Sequence, residues 1–112
     1  MRGPQNETVV SQSSVNFSCT SYRKEIDWKY AVGDDADIYI FKNQGRNERW
    51  FDARFGIHVS GLTSVLTIHD TRKNDSGTYS CHASGSTSQM SARLIVVGKY
   101  YLTCYYFYSR NL

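Results

Sequence analysis

Residues 75–81 read Asp75-Ser76-Gly77-Thr78-Tyr79-Ser80-Cys81, and the fold of the whole chain turns on them. Gly77 lets the backbone turn tightly into a strand without a Cβ clash. Beyond it, Tyr79 and Cys81 share one face by the two-residue period of a strand, while Thr78 and Ser80 share the other. The polar pair suits solvent and the Tyr and Cys pair suits a core. Two residues before the cysteine, the Tyr79 phenol is placed to bond back to the backbone just upstream, tying the preceding loop to the start of the strand.

The same alternation recurs outward from this stretch. Val15, Phe17 and Cys19 alternate with Asn16 and Ser18, and Ile26, Trp28 and Tyr30 alternate with Asp27 and Lys29. Ile38 and Ile40 alternate with Tyr39 and Phe41 ahead of a polar turn at 42–45. Strands are also expected at 7–10, 54–59, 62–68, 77–83 and 90–97, with a short edge segment at Trp50 and Phe51. No stretch sustains a helical period. Many short strands separated by polar turns describe an all-β sandwich or barrel.

A chain of 112 residues matches one domain. With 40% hydrophobic residues, 21% charged residues and one proline, neither disorder nor a collagen-like repeat fits. The longest apolar runs, 94–97 and 100–108, fall far short of the about 20 residues a membrane span needs. Met1 to Glu7 enter polar sequence directly without the apolar core of a signal peptide, so the chain is expected to be either cytosolic with reduced thiols or a piece of a normally secreted parent, and the motifs below favour the second. The formal charge of +3 is too small to imply nucleic acid or anionic lipid as a partner.

Composition is uneven along the chain. Residues 99–112 hold Tyr100, Tyr101, Tyr105, Tyr106, Phe107 and Tyr108, along with Cys104, Lys99 and Arg110. Without them, 11 of the 13 Lys and Arg remain against 10 Asp and Glu, and the cysteines drop from 3 to the pair Cys19 and Cys81. Gly98-Lys99-Tyr100 can be encoded by a splice-donor-like sequence, so the tail is expected to be retained-intron or misannotated sequence, with a genuine extension outside the fold as the alternative, and the oxidation state of Cys104 stays open. The division expected is a lead-in at 1–7, a domain at 8–98 and this tail at 99–112.

Taken with Trp28 nine residues after Cys19, the 75–81 run resembles the immunoglobulin superfamily, and the resemblance covers roughly residues 8–97. It implies a β-sandwich of two antiparallel sheets with Greek-key connections, bridged by a Cys19–Cys81 disulfide against which the Trp28 indole packs. Arg54 before the next apolar strand, together with Asp75, is similar to the ion pair of V-set domains; Trp28, Arg54, Asp75, Gly77 and Tyr79 are thus the fold signature. The short Cys19 to Trp28 spacing also admits an I-set domain, or a V-set domain with a shrunken C″ region. Residues 92–97 lack the Phe-Gly-x-Gly of rearranging antigen receptors, which turns the resemblance toward adhesion and receptor domains.

No catalytic pattern is present. His58, His69 and His82 stand alone on separate strands, without metal-ligand spacing, and no phosphate loop or nucleophile elbow occurs. No enzyme activity, metal or cofactor is therefore expected. The resemblance instead implies an extracellular or cell-surface protein-recognition or adhesion domain, with a soluble secreted immune or decoy module as the alternative. Strand alternation places Asp27, Lys29, Tyr39, Phe41, His82 and Arg93 on the outer side of the C, C′, F and G sheet, the expected partner-binding face. Contacts of Asp27 with Lys29 or Arg93 of a second copy make homophilic binding feasible. The loop at 84–89 offers only small residues, favouring face over loop recognition. Asn6, Asn16 and Asn74 each open a glycosylation sequon.

Overall fold

The structure, a computed structural model, describes residues 2–22 and 25–98, and the tail and Cys104 lie outside them. The described residues form nine strands: β1 (Glu7–Val10), β2 (Val15–Thr20), β3 (Ile26–Ala31), β4 (Ile38–Lys42), β5 (Gly45–Arg46), β6 (Phe55–Ser60), β7 (Thr63–Ile68), β8 (Gly77–Ala83) and β9 (Met90–Val97). They make two facing sheets, ordered β1-β9-β8-β3-β4-β5 and β2-β7-β6. This is the expected immunoglobulin-like sandwich.

One pairing departs from the antiparallel expectation, because β1 runs parallel to β9. The first segment changes sheets. Arg2 bridges Thr20 of β2 through backbone bonds of 3.1 and 2.8 Å, whereas Glu7–Val10 join β9 on the other sheet. Pro4, which has no N–H to give a ladder, falls in the crossing.

Alternation sets the core. In β2, Val15, Phe17 and Cys19 are buried and Asn16 and Ser18 exposed, and β9 buries Ala92, Leu94 and Val96. Two connections cross between the sheets side by side. Cys19 and Cys81 form a disulfide. Their ladder neighbours, Ser64 beside Cys19 and Trp28 beside Cys81, are joined by an indole N–H donating to the Ser64 hydroxyl at 3.0 Å.

Two local expectations fail for identifiable reasons. The β3–β4 register slips between Trp28, opposite Phe41, and Lys29, opposite Tyr39, so Ile40 is an extra residue in β4. Such a bulge breaks the two-residue period. Ile40 and Phe41 therefore both turn inward, at 0% and 4% exposure. Trp50 and Phe51 form no edge strand. Bonds from their N–H groups to the Asn47 carbonyl coil the segment, leaving Trp50 exposed and burying Phe51 edge-on against the Tyr30 and Phe55 rings. The polar turn after β4 has Asn43 and Gln44 at φ 53° and 66°, the left-handed pair of a type I′ hairpin, and it adds the two-residue β5.

Candidate functional site

At the base of the sandwich two signature residues, Arg54 and Tyr79, converge on a third, Asp75, while Trp28 bonds Ser64 at mid-height. Its carboxylate accepts from Arg54 Nη1 at 2.7 Å and Nη2 at 3.0 Å, and from the Arg72 N–H at 2.8 Å. Its carbonyl accepts from the Tyr79 hydroxyl at 2.6 Å. Burial pushes the Tyr79 phenol far up from its ordinary value, with the Asp75 charge adding to the effect, and the Tyr30 phenol is raised by the same two causes in the same order. The bonds to Asp75 hold the Arg54 guanidinium charged beyond its already high value. Asp52, accepting the Arg54 N–H at 2.9 Å, is lowered chiefly by that backbone bond. Gly77 is needed for a close approach, since a Cβ there would lie 2.7 Å from the Ala31 carbonyl oxygen. The Asp75 carboxylate and carbonyl, the Arg54 Nη groups and the Tyr79 hydroxyl are all engaged in joining loops to strands. The cluster is structural.

The β3-β4-β8-β9 face presents a different arrangement from the one alternation suggests. Asp27 and His82 are 3% and 5% exposed, so with Phe41 they are removed from the expected contact set. Their burial has a local cause. The Asp27 carboxylate accepts from the Asn43 N–H at 3.0 Å and the Ser84 hydroxyl at 3.2 Å, pinning the β4–β5 turn to the start of β3. His82 lies under the Tyr39 ring, its Nε2 3.4 Å from the Tyr39 hydroxyl and its Nδ1 3.0 Å from the Ala83 carbonyl. The Asp27-to-partner contacts that made homophilic binding feasible are therefore lost.

What remains outside is compact. Tyr39, half-buried, rests on His82, and the Lys29 and Lys42 ammonium groups each sit 4.9 Å from its ring centroid. Cation–π attraction holds both lysines near the ring while leaving their remaining N–H donors to solvent. Arg93 is exposed on β9, though its N–H is held by the Asn6 carboxamide at 2.8 Å, and its neighbour Ile95 is 46% exposed. Lys42 escapes strand alternation because the bulge before it shifts the phase. The polar turn at 42–45 marks where β4 ends, but the residues themselves do not give its type. The loop end also carries exposed apolar side chains, Tyr22 and Leu62 on loops other than 84–89 and Val59 near the end of β6.

Asn6, Asn16 and Asn74 are all exposed. The Asn6 and Asn16 carboxamide oxygens accept bonds, from the Arg93 N–H and from the Thr67 hydroxyl at 2.9 Å. The histidines stay apart, with His58 and His69 exposed on the other sheet's side. Among the described residues no group of three or more His, Cys, Asp or Glu is placed to hold a metal ion. No helix of the described residues is long and apolar enough to cross a membrane.

The model of the immunoglobulin V-set domain matches residues 2–97 of the chain. No curated protein matches it.

Proposed function

Since the chain belongs to the immunoglobulin V-set family, whose members are in general protein-recognition modules and are typically found outside cells or on their surface, we propose that it is a non-enzymatic extracellular recognition domain. It binds a protein partner through the β3-β4-β8-β9 face. The observation that carries this reading is Tyr39, outward on β4 against the buried His82, with the Lys29 and Lys42 ammonium groups each 4.9 Å from its ring centroid. An aromatic ring already held in one rotamer loses little entropy on binding, which is what an interface anchor requires. Two ammonium groups at its rim select a partner surface bearing carboxylates.

Of the three sequons, Asn6 adjoins Arg93 at the β9 side of this face, whereas the other two lie away from Tyr39. Asn16 lies on the outer side of the opposite sheet, and Asn74 lies in the turn at its base. Carbohydrate at these positions leaves Tyr39 and its lysines uncovered. The test is a binding screen with the oxidised, glycosylated chain, followed by the Lys29→Glu/Lys42→Glu double variant on any partner found. We expect that variant to weaken binding by about tenfold or more and to flatten its salt dependence. Binding unaltered in both respects would remove this face from consideration.

A further inference from the structure

The strongest unassigned feature is the free edge of β6, which ends the three-stranded sheet. Ser60 and Thr63 face each other across a two-residue turn, so Ser60 with Thr63, His58 with Val65 and Gly56 with Thr67 are the pairs that exchange ladder bonds. The His69 N–H bond to the Arg54 carbonyl at 2.8 Å continues the same phase. Phe55, Ile57 and Val59 therefore aim their N–H and C=O groups away from β7. Phe55 is satisfied within the chain, its N–H by the Asp52 carbonyl at 3.1 Å and its carbonyl by Arg46 Nη1 at 3.3 Å. Ile57 and Val59 have no such partner among the described residues.

Exposed edges are ordinarily blunted by charge, proline or a bulge. The β6 sequence FGIHVS has neither charge-bearing Asp, Glu, Lys or Arg nor proline, and its register with β7 is unbroken. The outward positions of β2 and β7 also lack those four charged residues. Next to β6, an open cleft of about 540 Å³, lined in part by Val59, Leu62, Asn43 and Gln44, leaves the inner side of the edge uncovered.

We propose that β6 pairs antiparallel with β6 of a second copy about a two-fold axis through His58, joining two three-stranded sheets into one. In that register Ile57 of each chain lies opposite Val59 of the other. Each of the two pairs exchanges two hydrogen bonds, so every free N–H and C=O of Ile57 and Val59 is used. Sliding the axis by one residue toward Phe55 would set Val59 against backbone groups that are already bonded. The chosen register also places β-branched side chains opposite each other, a favourable cross-strand combination. No repulsive pair of fixed charges lies across the axis. The contact is on the opposite sheet from Tyr39, so it leaves the proposed partner face free.

His58 is exposed and sits at the axis, where its counterpart is its nearest cross-strand neighbour. Sedimentation velocity of the full oxidised chain over a concentration series should show a monomer–dimer equilibrium. His58→Lys and His58→Glu, each setting like charges against each other, should raise the dissociation constant by about tenfold. An equimolar mixture of the two variants should recover association as a heterodimer, and Tyr39→Ala should leave the equilibrium unchanged. A chain that stays monomeric throughout, a dimer indifferent to residue 58, a mixture no tighter than either variant, or association lost in Tyr39→Ala would each overturn the proposal.

Discussion

Asp75 spends its acceptors on three segments of chain at once, and the side chains that serve it are not equivalent. Tyr79 gives one hydrogen bond to its carbonyl while the ring stacks on Phe17 with centroids 5.2 Å apart. Tyr79→Phe keeps the ring and loses the bond, so denaturant unfolding should show a loss of about 1–2 kcal/mol. Arg54 matters more. Its two bonds to Asp75 neutralise a carboxylate that is only 6% exposed, and removing one member of such a pair leaves an uncompensated charge. Arg54→Ala should cost about 3 kcal/mol, with Arg54→Lys falling between it and the wild type because the charge survives but the two-point geometry does not. Equal losses for Ala and Lys would show that the paired geometry contributes nothing beyond the charge.

At the scale of strands, what the sequence displays is the side of the strand each residue takes while the ladder runs unbroken. The inward sets of β2 and β9, and Tyr79 and Cys81 in β8, follow from counting by twos. Counting fails at β4 because a bulge has no signature in the alternation of Ile38, Tyr39, Ile40 and Phe41, all of which are hydrophobic or amphipathic and fit either face. The same slip hid Lys42. The burial of Asp27 was hidden for another reason, since a carboxylate on an outward strand position gives no sign that a turn sixteen residues on will bond it. The turn itself was visible as polar sequence, but its type was not, because Gln44 is an unusual occupant of a left-handed position. That misfit makes a prediction: Gln44→Gly supplies the residue that a type I′ hairpin prefers, and it should raise stability by about 0.5–1 kcal/mol, seen as a higher thermal midpoint. A lower midpoint would mean the Gln44 side chain, 3.4 Å from Glu25, contributes more than its backbone costs.

Across the whole molecule, the two sheets are fastened at mid-height by the disulfide and the Trp28 to Ser64 bond, and at the base by the Tyr79 and Arg54 bonds to Asp75. The cysteines are 62 residues apart, so their link removes about 4 kcal/mol worth of chain freedom from the unfolded state, and both are 1% exposed or less. Thiol reductants should therefore act on the native protein only as fast as it opens, and on the denatured protein at once. The base has a second limit, set by pH. Tyr30 and Tyr79 are raised by burial and by the Asp75 charge, whereas unfolded tyrosines lose their protons near pH 10. Above that pH the native state binds more protons than the unfolded one, so stability must fall as pH rises; below it, these two phenols contribute in full. Alkaline titration followed by tyrosinate absorbance should show one phenol, Tyr79, that ionises only as the fold is lost and a second, Tyr30, that ionises late, while the same titration in denaturant shows none delayed. Tyr79→Phe should make the decline of stability above pH 10 shallower by about one proton, and Tyr30→Phe should make it shallower by less. If every tyrosine instead titrates at its ordinary value with the fold intact, the base of the sandwich admits water to Asp75, and the cost assigned to losing Arg54 would have to be reduced with it.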